Sequence, residues 1–228
     1  MHINKKGGVV MSQSIPSFEG KTILNIGADL HEFSRVNEVK ERRLYLYGSI
    51  ESIDEDEAGL HYDASMTAKL IEYIFEYNRR DKGIPIENRT PIRLYINSPG
   101  GDMTEGFALI SAIQLSKTPV YTINVGQWSS MAFLIGICGH RRFSLPYTMF
   151  LMHDGATVTY GSVNKVQDRI DFEKRFEREV IKKHVLRHSN MDELDYDALA
   201  RVELYLLPQD ALKRGFIDEI ITDIDTIL

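Results

Sequence analysis

The chain has 228 residues, 43% of them apolar, which is enough to bury one sizeable core without a second domain. Its net charge is -6, and no Lys/Arg cluster carries interleaved aromatics, so a nucleic-acid partner is not expected. No apolar run approaches ~18 residues, which argues against a membrane span or a secretory leader, and the single cysteine, Cys138, rules out an intramolecular disulfide and suits a reducing, cytoplasmic compartment.

Residues 1–20, with their Gly, Ser, Lys and Pro, predict a flexible N-terminal tail, and residues 21–228 a single domain. Lys21 to Gly27 alternates weakly, as a strand or hairpin arm would, and Arg43 to Ile50 predicts a strand ending in a turn. After the acidic stretch Glu51 to Ala58, Ala64 to Tyr77 sets Met66, Leu70, Ile71, Ile74 and Phe75 on one face of a covering helix. Arg79 to Arg89 is polar and contains proline, so it predicts a surface loop. Ile92 to Asn97 reads as a strand, Met103 to Ile113 as a helix behind the Pro99-Gly100-Gly101 turn, Pro119 to Val125 as a buried strand and Met131 to Ile137 as a short buried helix. That alternation predicts βαβ units and a largely parallel sheet. Thr148 to Met152 predicts a strand that ends at His153. From Ser162 to His188 there is neither Gly nor Pro, and apolar residues, Phe172 and Phe176 among them, recur at helical intervals. Such a helix is roughly 40 Å long, and with charge on most turns it is expected to project.

The chain is organised around Gly126-Gln127-Trp128-Ser129-Ser130-Met131-Ala132, where hydroxyls sit between a strand and a helix. A serine gains most as a nucleophile at such a turn, because the free N–H groups of the first helical turn can receive an oxyanion. The plainer use of Ser129 and Ser130 is to cap the helix. Pro99-Gly100-Gly101 is by itself a turn, and His153 by itself a strand-end histidine. His184 and His188 are spaced i and i+4 but lack an evident third ligand, so no metal site is expected. Met131 and Ala132 after Ser130 depart from the Gly-x-Ser-x-Gly elbow of α/β-hydrolases.

Four blocks in order, Asn97-Ser98-Pro99-Gly100-Gly101, Gly126 to Ala132, Met152-His153-Asp154 and Leu207 to Asp218, resemble the ClpP family, the proteolytic subunits of Clp proteases, over about residues 40–222. The resemblance implies a ClpP/crotonase-like α/β fold, with repeated ββα units forming a head and a handle helix at about 162–188. It implies a serine endopeptidase in which Ser130 is the nucleophile, His153 the general base, and the backbone N–H groups of Gly101 and Met131 the oxyanion hole. Where the family carries an aspartate, counting back from Gly215 places Glu203, with Asp197 as the rival acid. The implied assembly is a homo-oligomer of two stacked heptameric rings that degrades unfolded polypeptides fed by a partner AAA+ ATPase. The chain has no Gly-x-x-x-x-Gly-Lys-Ser/Thr motif of its own and no cofactor is implied. The stretch Arg79 to Arg89 is longer than the family pattern. Two other readings stay open: a catalytically silent subunit of a mixed barrel, favoured by the unusual acid, and a crotonase-type acyl-CoA enzyme, in which the Gly-Gly turn would polarise a thioester.

Overall fold

The computed structural model describes residues 41–51, 65–155, 158–199 and 202–228, and these fall within one compact unit, Glu41–Leu228. The tail expected at 1–20, the strand expected at 21–27 and most of the acidic stretch after Glu51 lie outside the described residues.

The architecture is α/β, built on strands β1 (Arg43–Tyr47), β2 (Ile92–Ser98) and β3 (Val120–Ser129), which pair in parallel. Their apolar residues alternate with the pleat, so that Leu44, Leu46, Leu94 and Ile96 are buried on the strands' way to the site. β3 is longer than its apolar run predicts, because its second half finds a partner of its own. Tyr121 to Asn124 pairs with β4 (Arg141–Ser144), whereas Gln127 to Ser129 pairs with β5 (Met149–Met152). The sheet forks at this point. Asn124, fully buried, holds the fork: its side chain donates to the Met149 carbonyl at 3.0 Å and accepts from the Gly126 N–H at 3.0 Å, while its carbonyl accepts from the Leu145 N–H at 2.9 Å. The register of β3 against β2 also shifts here, as a bulge requires. β4 continues to β7 (Glu219–Ile220), and β5 pairs antiparallel with a short edge strand, β6 (Leu204–Leu206).

Helices pack against this sheet, and the C-terminal Ile221 and Ile227 pack with Tyr95, Ile123 and Phe143. α1 (Met66–Arg80) is capped by Ser65, whose Oγ accepts from the Ala68 N–H at 3.1 Å. Its buried face is Thr67, Leu70, Ile74 and Tyr77, so the helix is turned relative to the face expected from sequence, and Phe75 is left 62% exposed. The helix also runs two residues into the expected loop and is closed by Asp81, which is buried under a bidentate pair with Arg42 and a 2.8 Å hydrogen bond from Thr118. The Arg42 guanidinium holds the Asp81 carboxyl below the usual carboxylate range. α2 (Met103–Leu115) is capped by Asp102, and α3 (Met131–Ile137) is buried at every residue.

The long helix runs as α4 (Val163–Phe176), a π-helical turn (Glu177–Ile181) and α5 (Lys182–Arg187). Nothing in it is buried before His184, which fits a projecting element. Phe176 packs edge-on against Phe107 of α2, with ring centroids 5.1 Å apart, while Phe172 remains exposed. Phe176 is thus half-buried within its own chain, and Phe172 is the more exposed of the two rings. Beyond the long helix come α6 (Glu193–Leu199) and α7 (Pro208–Lys213). Among the described residues, no helix is long and apolar enough to cross a membrane.

Candidate active site

Ser130 stands between the last residue of β3 and the first of α3, and the turn forces it to φ 55°, ψ -124°. A non-glycine residue held at positive φ costs on the order of 1–3 kcal/mol and persists only where its surroundings over-determine it. Here they do. Its N–H donates to the Leu151 carbonyl at 2.9 Å, and its carbonyl accepts from the N–H groups of Phe133 and Leu134 at 3.0 and 3.3 Å. The side chain is in the cap position but makes no cap hydrogen bond, so the capping expected of it does not occur and the half-buried hydroxyl is left for other chemistry. Ser129 is 4% exposed, and its Oγ donates to Gln127 Oε1 at 3.2 Å, which removes it as a competing nucleophile.

The Pro99-Gly100-Gly101 turn lies directly on this corner. A Cβ on Gly100 would stand 2.6 Å from the Ser129 carbonyl oxygen and 2.8 Å from both Met131 N and Ser130 Cβ, so only glycine allows the approach. At Gly101 the chain bridges to Ile50: Gly100 O accepts from Ile50 N–H and Asp102 N–H donates to Ile50 O, each at 2.8 Å. That pattern spares the N–H of Gly101, and a helix start spares the N–H of Met131. Among the described residues neither has an acceptor, so the corner offers two free backbone donors flanking Ser130. Asn97, to which sequence reasoning gave no role, ties the two loops together by accepting from the Gln127 N–H at 3.2 Å.

Strand pairing delivers the other two groups. Ser129 is opposite Leu151 in the parallel register of β3 and β5, so His153, just past the end of β5, emerges beside the start of α3. The ring is half-buried, and among the described residues it makes no hydrogen bond to Ser130 Oγ. β5 and β6 pair as Phe150 with Leu206, Leu151 with Tyr205 and Met152 with Leu204, where the ladder ends; His153 and Glu203 are the next residue on each side, and among the described residues no hydrogen bond or ion pair joins them. Glu203 thus lies immediately ahead of the edge strand β6, and its Oε2 accepts from the Tyr205 hydroxyl at 3.1 Å. Tyr205 was missed from sequence; its only signal was the period of two from Glu203.

Asp197 is elsewhere, on α6, with its carboxylate 2.8 Å from the Lys182 ammonium at the base of the long helix. His184 and His188 are spent on the backbone: His184 Nε2 donates to the Leu134 carbonyl at 2.9 Å, and His188 Nδ1 to the His184 carbonyl at 2.8 Å. Cys138 packs as a small apolar group, and burial pushes its thiol up.

Two comparisons bear on this arrangement. A family model described as Clp protease matches residues 85–224, more than half of the chain. The ATP-dependent Clp protease proteolytic subunit 2 of Thermobifida fusca (strain YX) is 33% identical over 137 residues, which is 58% of this chain and 66% of that protein. The match thus spans just under two thirds of the relative's length.

Proposed function

The chain belongs to the Clp protease family, and on that premise we propose that it is a serine endopeptidase in which Ser130 is the nucleophile, His153 the general base and Glu203 the acid that orients it. The observation that carries this reading is the corner itself: a serine at positive φ, its hydroxyl unused by the helix it precedes, beside two backbone N–H groups that have no acceptor among the described residues.

In this reading Ser130 Oγ attacks a peptide carbonyl carbon while its proton passes to His153. The carbonyl oxygen becomes an oxyanion and is received by the N–H groups of Gly101 and Met131, a contribution worth about 2.7–4 kcal/mol per donor in comparable sites. His153 then gives the proton to the departing amine, which leaves the acyl group on Ser130. A water deprotonated by His153 releases the acid and regenerates the hydroxyl. Glu203, which like His153 is the next residue beyond the β5–β6 ladder, stabilises the imidazolium formed on the way.

The substrates are unfolded polypeptides. The chamber is two stacked heptameric rings of this chain in the cytoplasm, joined through the projecting helix, with unfolding supplied by a partner AAA+ ATPase. The ATP dependence in the Thermobifida relative's name supports that division of labour. A second reading, a silent subunit of a mixed barrel, is favoured by one observation: the described residues contain no hydrogen bond between Ser130 and His153. Catalytic hydrogen bonds often close only in the loaded complex, which is why we prefer the active reading.

The test is peptide hydrolysis and fluorophosphonate labelling of the purified protein, beside its native mass. Wild type is expected to label, to cleave short peptides without ATP and to run near about 365 kDa, fourteen chains of 26.1 kDa each. Ser130→Ala is expected to lose both activities at unchanged mass. An unlabelled wild type within an intact barrel would establish the silent reading instead.

A further inference from the structure

Glu203 has one more rotatable bond than an aspartate, and it sits ahead of a strand that among the described residues is paired on one side only, β6 against β5. A carboxylate in that position is exposed, and nothing in the main chain fixes its torsions. An orienting acid has to present one oxygen to an imidazole in a defined direction, so an unrestrained glutamate would spend most of its time in rotamers that miss His153. Tyr205 supplies the missing restraint. It lies two residues on, on the same face of the strand, and donates its hydroxyl to Oε2 at 3.1 Å, which leaves Oε1 for the His153 ring. Resting on the catalytic reading given above, we propose that Tyr205 is the positioning residue for Glu203, holding the longer carboxylate in line with His153.

The chemistry of the pair suits this task. A phenol donates a hydrogen bond without adding a positive charge, so it fixes the carboxylate while leaving its full negative charge to face the imidazolium. The contact also raises the Tyr205 phenol above its ordinary value, since ionising it would place a second negative charge against Glu203; the hydroxyl therefore stays a donor across the working range. Tyr205 is 57% exposed, and opposite it stands Leu151, which has no polar group to compete for the hydroxyl.

The experiment is a double-mutant cycle on the assembled protein, with Tyr205→Phe, Glu203→Gln and the pair, read as kcat and KM for a fluorogenic peptide. Tyr205→Phe keeps the ring and removes one oxygen. It is expected to lower kcat about tenfold, the scale of one hydrogen bond to a charged group, with KM unchanged. In the Glu203→Gln background the same change is expected to alter kcat less than about twofold, because the charge Tyr205 acts through is already gone. An equal loss in both backgrounds would mean that Tyr205 touches substrate or merely supports β6, and would overturn the proposal, as would an unchanged kcat in the single variant of an active enzyme. A wild type that neither labels nor cleaves overturns the catalytic reading and this inference with it, so the two failures are distinguishable.

Discussion

His184 gives the sharpest quantitative expectation. It is 7% exposed on α5, and because the Leu134 carbonyl can only accept, Nε2 must carry the proton that it donates there at 2.9 Å. The unprotonated Nδ1 faces the Gln114 side-chain amide at 3.5 Å, the His188 ring lies 4.6 Å away, and the Phe107 ring closes a further side. Among the described residues no carboxylate compensates a second proton. Burial, and after it the neighbouring charges of His188 and Arg187, pull the ring down from 6.5 to about 4, against the opposing pull of the Leu134 hydrogen bond. Below pH 6.5 the unfolded chain takes up a proton that the folded chain refuses, so the folded state loses stability as pH falls from 6.5 toward 4 and keeps it in full above 6.5. At ~1.4 kcal/mol per pH unit the full interval is worth about 3 kcal/mol. Burial also lowers His188, which adds loss in the same direction. His184→Gln retains an N–H for Leu134 and cannot titrate. Urea unfolding at pH 7 and pH 4.5 is expected to show a pH-dependent loss that is about 2–3 kcal/mol smaller in the variant than in wild type. Equal losses in the two proteins would refute the placement of His184 as a buried neutral ring. The effect reaches the site, because the carbonyl in question belongs to the helix that begins at Ser130.

Two further expectations follow from the corner and from the rival acid. Gly101→Ala drives a Cβ into the Ile50 carbonyl at φ 143°, so the loop must move away from Ser130; peptidase kcat/KM is expected to fall by about 10² or more, as for loss of an oxyanion donor, with native mass retained, and a wild-type rate would remove Gly101 from the site. Asp197→Asn removes one partner of Lys182 in an exposed pair and is expected to leave peptide hydrolysis within about twofold of wild type, since such pairs contribute little; a collapse of the rate would transfer the role of the acid to Asp197.

Much of this arrangement is legible in the chain because local pattern and tertiary context agree. Met131 to Ile137 is apolar throughout, it is buried throughout, and its helix has the bounds its sequence predicts. β1, β2 and β5 follow from alternation or from β-branched and aromatic content in the same way. What stays hidden depends on partners distant in sequence. Gly126, Gln127 and Ser129 have no strand propensity worth the name, yet they extend β3 because β5 supplies a pairing edge for them and Asn124 pins the fork. β6 is three residues long and pairs with β5 alone among the described residues, so nothing local marks Glu203 as lying at the end of a sheet edge. The face of α1 is set by Tyr77, which the helix buries fully and whose size outweighs Met66 and Phe75. Phe176 is turned inward by a ring on another helix, Phe107, which no periodicity within its own helix could disclose.

The same dependence bears on how the site tolerates an unusual acid. Ser130 and His153 are placed by main-chain hydrogen bonds between β3 and β5, and their relative position does not depend on which carboxylate follows. The proposed acid, Glu203, by contrast, lies just ahead of β6, an edge strand with one neighbour among the described residues and an exposed tip. Edge strands adjust their stand-off most easily, so an added methylene at position 203 can be absorbed there without disturbing the serine corner. Direction is harder to absorb than distance, because a glutamate that reaches the ring still has to stop at the right torsion. In the proposed arrangement the local hydrogen bond from Tyr205 meets that second requirement without help from the rest of the fold. A substitution at 203 is therefore expected to change the rate of the chemistry before it changes assembly or stability, and Tyr205 should matter only while 203 carries a charge.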